Sequence, residues 1–243
     1  MTRDTRRDPG TMLWSGLTVK TERFSLAHKM SQPDPLRPVC APESSSPKRR
    51  QILAGAREVF RETGFERTSV DQIAARAGVS KATVYNHFHD KKALYVAYLS
   101  EEADTLRDSV RCMLSRSEPT GDVAAALQTV GERLLGLFLD PTIVGFYRNT
   151  SAEVERFPEL GQLLFDRGPA AMFAVITEYL GRWREHGALR IADLHAAAVQ
   201  FVMLCHGDLV VRSQLGVLPE PLAPAIVATV RQAVAVFLAA YAA

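Results

Sequence analysis

Cysteine is scarce in this chain. Cys40, Cys112 and Cys205 stand far apart and form no CxxC pair. That leaves neither a disulfide framework nor a zinc site and suits a reducing cytosol, so a cytoplasmic protein is expected. Long apolar runs are missing too. Ala233–Ala243 is too short to span a bilayer and reads as the end of a packed helix. The first thirty residues hold no continuous apolar core, which argues against a signal peptide, and no membrane partner is expected. There is no glycine-rich phosphate loop, no G-x-S-x-G and no H-E-x-x-H, so nothing supports an enzyme. His87 and His89, two apart at a helix end, diverge instead of meeting on one metal, and His206 with Asp208 has the same difficulty. No cofactor or metal is expected. His206 reads as a hydrogen-bonded interior or interface histidine, and Glu153 and Glu155 as a solvated helix face. No run alternates with the period of two that marks strands, so the fold class is all-α.

What the chain has is charge in the right place. Residues 47–92 carry ten Lys/Arg against five Asp/Glu, a balance of +5. Residues 1–46 stand at +2 and residues 93–243 at −5, within a formal net charge of +2. A surface suited to a polyanion is therefore confined to one segment.

That segment contains two short helices and a tight turn. Ser69 and Gln72 have capping-box spacing, and Val70, Ile73, Ala74 and Ala77 give the first helix an apolar face. Gly78 ends it in the left-handed region that a residue without Cβ enters cheaply. Ser80 caps a second helix that runs to Phe88 and turns Val84 and Phe88 inward. Lys81, Ala82, Thr83, Tyr85, Asn86 and His87 are left for its outer faces. No acid stands between Gln72 and His89, as a groove edged with phosphates requires. Ahead of this pair, Ser46-Pro47 starts a helix with Ile52, Leu53, Ala56, Val59 and Phe60 on one face, closed by Gly64. Behind it, Asp90 caps a helix predicted to reach Arg116, roughly 40 Å long.

The pattern Thr68-Ser69-Val70, Ile73-Ala74, Ala77-Gly78-Val79-Ser80, Thr83-Val84-Tyr85, His87-Phe88 and Lys91-Lys92-Ala93-Leu94 resembles the DNA-binding domain of TetR-family transcriptional regulators. Tyr147–Leu189, with Ala-Glu-Val-Glu-Arg-Phe-Pro-Glu-Leu and Arg-Gly-Pro, is similar to the C-terminal domain of the AefR-like branch. The resemblance implies a homodimeric regulator, most often a repressor, that binds a palindromic operator in double-stranded DNA and leaves it when a small apolar effector binds. It implies backbone-positioning roles for Thr68, Thr83, Tyr85, His87 and Lys91, and counts Ser80, the helix cap, among the DNA-binding residues. Lys81, Ala82 and Asn86 are the candidates for base edges. The position after Tyr85 is commonly a second aromatic in the family and is Asn86 here, a departure that bears on its role.

The domain expectation is an N-terminal extension at 1–46 without regular structure, a helix-turn-helix domain at 47–93, and a helical ligand-binding and dimerisation bundle at 94–243. Prolines and a serine run give the extension its character; Arg3, Arg6, Arg7 or Arg37 in it are a candidate basic arm, and Met30 an alternative start. In the bundle, helices are expected over 122–139, 142–156, 158–167, 170–186, 193–215 and 225–240, with Gly168-Pro169 as a break. Leu106, Met113, Phe138, Phe146, Tyr147, Phe165, Phe173 and Phe201 are the candidate pocket residues. Ordinary core is the default for each of them taken alone. The last two helices, apolar over more than one face, are the expected dimer contact. The rival reading is a helix-turn-helix protein with no regulatory ligand, which a solid C-terminal core would favour.

Overall fold

The computed structural model describes residues 46–115 and 121–243; the expectations for the N-terminal extension, the arginine arm, Met30 and the helix end at Arg116 fall outside them. Every named element among the described residues is helical, and one isolated β-bridge joins Leu189 to Ala242.

Helix α1 (Pro47–Thr63) starts on a Ser46 cap with proline in its first turn, as its sequence predicts. Helix α2 (Val70–Ala77) has the full capping box. The Ser69 amide donates to Gln72 Oε1 at 2.7 Å, and the Gln72 amide donates to Ser69 Oγ at 3.2 Å. Gly78 leaves the helix at φ 62°, ψ 40°. Helix α3 (Lys81–His87) stops one residue before Phe88, which turns extended while staying buried. Helices α1 and α2 cross almost in backbone contact. A Cβ on Gly55 would stand 2.8 Å from the Ala77 amide nitrogen, a spacing only glycine allows.

Helix α4 (Lys91–Ser115) is 25 residues long and passes through two separate cores. Its first half gives Leu94, Tyr95, Tyr98 and Leu99 to a core shared with α1–α3. Phe60 is the hub there, 4.8 Å from Tyr95 and 5.5 Å from Tyr98 between ring centres. Its second half gives Leu106, Val110 and Leu114 to the core of the C-terminal bundle.

The bundle comprises α5 (Val123–Phe138), α6 (Pro141–Val154), α7 (Pro158–Phe165), α8 (Ala171–Glu185), α9 (Leu194–His206), α10 (Leu209–Leu215) and α11 (Leu222–Tyr241). Gly131 of α5 lets α9 and α11 close on it; a Cβ there would lie 2.5 Å from Val230 Cγ1.

Four expectations change. Gly168-Pro169 does not break the chain. Residues Asp166–Ala170 form a π-helical turn that joins α7 to α8 without leaving helical geometry. Pro169 has no N–H and its ring crowds the carbonyl four residues back, and one widened turn relieves both. The helix expected over 193–215 bends by 56° between α9 and α10. Gly207 sits at that bend with φ 50°, where a Cβ would be 2.6 Å from Thr229 of α11. Pro224 lies inside α11 instead of in the loop before it, in the first turn where its missing N–H goes unused. Finally, α11, with 20 residues, is long and apolar enough to cross a membrane by length and composition, against the expectation that no run was. Its Val230, Val234 and Phe237 are buried in the bundle core.

Candidate nucleic-acid interface and helical cavity

The outer face of α3 presents Lys81, Ala82, Tyr85, Asn86 and His87 to solvent, with Thr83 half-buried beside them. The Ser80 hydroxyl is spent on capping: it accepts from the Thr83 amide at 3.1 Å and lies 2.8 Å from the Thr83 hydroxyl. Lys81 Nζ donates to Asp71 Oδ2 at 2.9 Å, and this pair raises the lysine pKa. Both partners are exposed, so the pair contributes little stability and opens readily. Ala82, Tyr85, Asn86 and His87 accordingly form the outward surface most ready for a groove.

Two expected contact residues are placed differently. Thr68 is 3% exposed, and its hydroxyl donates to the Gly64 carbonyl at 2.6 Å. Lys91 folds back. Its ammonium donates to the carbonyls of Phe65 (2.8 Å) and Thr68 (2.9 Å) and sits over the Phe65 ring. Both side chains close the α1–α2 turn from behind. They hold the helix-turn-helix in shape instead of presenting polar atoms to solvent.

The bundle contains a cavity of about 560 Å³ bounded by α4, α5, α6, the π-helical turn, α8, α9 and α10. Of the eight candidate pocket residues, Leu106, Phe138, Tyr147 and Phe173 line it. The other four do not. Phe201 is fully buried against Phe237 in the bundle core, and Met113 packs on that core's margin. Phe165 is 52% exposed. Phe146 points the other way, edge-on to Tyr98 at 6.1 Å, among the residues packed against the head core. The cavity also takes in Met172, Met203 and the backbone of Gly168. The Tyr147 hydroxyl lies so near Gly168 that a Cβ there would be 2.7 Å from it.

His206 is interior, as expected, but among the described residues its buried Nε2 has no hydrogen-bond partner. It lines the cavity and stacks edge-on against Phe138 at 4.5 Å. Burial pushes its pKa below the usual histidine value, so the ring is neutral at neutral pH. The sequence signal that could have found it is the following Gly207, which ends α9 and leaves His206 at a helix terminus. No group of three or more His, Cys, Asp or Glu able to hold a metal occurs among the described residues.

Helix α6 joins the two regions. One side carries Tyr147, Arg148 and Ser151 to the cavity; the other sets Phe146 on Tyr98. Just after it, Phe157 meets Phe65 edge-on at 5.5 Å, and Leu160 of α7 is a fully buried member of the head core. Ion pairs Lys92–Glu159 and Arg156–Glu66 flank that contact.

A capped helical pair with a cation-bearing outer face, tied through one helix to a mostly apolar cavity, is the layout of a one-component helix-turn-helix regulator. Sequence comparison agrees. Residues 52–98 match the profile of the bacterial regulatory proteins of the tetR family, and residues 125–243 match the AefR-like transcriptional repressor C-terminal domain. A TetR-family regulator from Mesorhizobium loti MAFF303099 superposes with a TM-score of 0.73 at 26% identity, over 81% of this chain and 97% of that one. The flavonoid-responsive regulator FrrA is 31% identical, over 80% of this chain and 97% of its own, with a TM-score of 0.62. The chain belongs to the TetR family of transcriptional regulators. The HTH-type transcriptional activator FasR of Mycolicibacterium smegmatis is 45% identical over 64 residues, 26% of this chain and 29% of that protein. The chain spans about a third of the length of the curated relatives it matches.

Proposed function

We propose that this chain is a homodimeric repressor that sets α3 in the major groove of a palindromic operator and is released when a small, largely apolar molecule enters the bundle cavity. The observation that carries the reading is α6, one helix with its Tyr147 side in the cavity and its Phe146 side on the head core. A ligand that fits better when α6 is displaced favours a state in which α4 and the head are displaced with it. The spacing of the two recognition helices then no longer suits the operator. The shift equals the difference in ligand affinity between the two states, and a ligand indifferent to them would shift nothing. A cavity of about 560 Å³ is of the size that takes drug-like molecules, which favours this reading over a ligand-free architectural factor.

Dimerisation is assigned to α9, α10 and α11, with the sequence expectation refined. Ala197, Val230, Val234 and Phe237 are core within one subunit, whereas Val211, Leu215 (71% exposed), Val227 and Val236 face outward. Those outward residues would supply the contact between copies. The domain limits at 47–93 and 94–243 are retained as part of the proposal, with α4 crossing the boundary.

Footprinting on DNA upstream of the chain's own gene and its neighbours, repeated with candidate effectors, is the direct test; no protection at moderate salt would count against the repressor. Within a footprint, Tyr85→Ala is expected to weaken binding on all sequences by about 1.5–3 kcal/mol, the worth of a hydrogen bond to a charged phosphate. Asn86→Ala is expected to relax preference at one base pair by about 1–3 kcal/mol. Gel shifts over a set of singly substituted operators separate the two. A Tyr85→Ala protein that binds as the parent does would disprove this docking.

A further inference from the structure

The cavity's polar groups specify a charge type, an inference that rests on reading the cavity as an effector site. Among the residues that line it, Arg148 is the only one with a full charge, and no Asp or Glu is present. Among the described residues Arg148 has no ion pair, whereas other arginines of the chain are satisfied: Arg107 on Asp104 and Asp108, Arg167 on Asp104, and Arg156 on Glu66. Ser151, one turn along α6 and also in the lining, places a hydroxyl on the same side of the helix. At His206 the cavity is polar without a second charge, since the buried Nε2 there has no partner and the ring is neutral. The apolar walls include Phe138, Met172 and Phe173.

We infer that the effector is an organic monoanion, with a carboxylate on Arg148 and Ser151, an apolar body along Phe138, Met172 and Phe173, and room for one uncharged polar atom at His206. A guanidinium presents two parallel N–H groups that match a carboxylate, and a bidentate charge-assisted pair of this kind is stronger than a hydrogen bond between neutral groups. A cationic ligand would meet Arg148 with no acid to offset it. A neutral one would leave the guanidinium facing its apolar body.

The experiment is calorimetric titration of the full chain with matched probes. The aliphatic set is decanoic acid, 1-decanol and decylamine; the aromatic set is 2-naphthoic acid and 2-naphthol. At least one acid is expected to bind about tenfold or more tightly than the alcohol of the same body, and decylamine is expected not to bind. Which acid wins tells whether the body is a chain or a ring system. Arg148→Gln is expected to remove the acid's advantage while leaving alcohol affinity unchanged, and Arg148→Lys to keep part of it. Because Arg148 is exposed, an unliganded melting midpoint equal to the parent's shows that the variant is folded. Equal affinity for acid and alcohol, an acid preference that survives Arg148→Gln, or no binding by either acid would overturn the inference. Operator protection in footprints would still stand in any of those cases, so the two readings fail separately.

Discussion

Alanine in place of Gly55 is expected to force α1 and α2 apart and to abolish DNA binding. The new Cβ would lie 2.8 Å from the Ala77 Cβ, 2.8 Å from its amide nitrogen and 2.9 Å from its Cα. Two of those atoms are backbone, so no rotamer change relieves the clash and one helix has to shift. Around the crossing, Ile52, Ala56 and Ile73 are fully buried, which leaves no space to shift into. Overpacking costs about 1–3 kcal/mol where side chains can adjust, and the upper end is expected here because they cannot. Displacing α2 also carries α3 away, so affinity falls by more than the stability loss alone requires. Gly136→Ala in α5 is the matched control: nothing lies within 4 Å of its Cβ position, and it is expected to be neutral or stabilising by about 0.5–1 kcal/mol. Urea unfolding and gel shifts on both variants check this. A Gly55→Ala protein with the parent's stability and affinity would show that the crossing is looser than drawn.

Leu160→Ala is expected to destabilise the chain by about 2–5 kcal/mol, the usual range for emptying a fully buried leucine site. Leu160 belongs to α7, yet it is 0% exposed within the head core, beside Phe65 and the α4 tyrosines. Its loss therefore loosens the contact through which α6 and α7 hold the head. Effector binding to the cavity is expected to persist while its effect on operator affinity shrinks, removing part of a coupling that typically amounts to about 1–3 kcal/mol. Operator titrations with and without effector, compared between parent and variant, measure that coupling. Undiminished release in the variant would leave α4 alone as the route.

The helix-turn-helix was legible because its signals are local. Ser69 with Gln72, Gly78 and Ser80 fix caps and a turn within twelve residues, and each takes the expected geometry. What the sequence does not disclose is where long side chains go once the turn is built. Thr68 and Lys91 both have donors suited to phosphate, and both spend them on carbonyls of the turn they support. The cavity was half legible for a related reason. Phe146 and Tyr147 are adjacent aromatics, and about 100° of helix rotation sends one to Tyr98 and the other to the cavity. Which face turns inward depends on the placement of neighbouring helices. That placement in turn depends on the π-helical turn at Pro169, which composition signals only as a helix break, and on the bend at Gly207, which it does not signal.

The positive segment that first pointed to nucleic acid is less free than its count of cations implies. Arg57 and Arg61 pair with Glu102, Arg76 with Glu58 and Glu62, Lys81 with Asp71, Lys92 with Glu159, and Lys91 is held by carbonyls. Counterions leave DNA only for cations that actually replace them at phosphates. With at least six of the ten head cations already engaged, log K against log salt should fall less steeply than about −0.9 for every cation in the segment. A slope near the full count would mean that these pairs open on docking. A shallow one would mean that the operator is gripped mainly by shape, capped helix ends and base contacts, and stays gripped as the ionic strength around it changes.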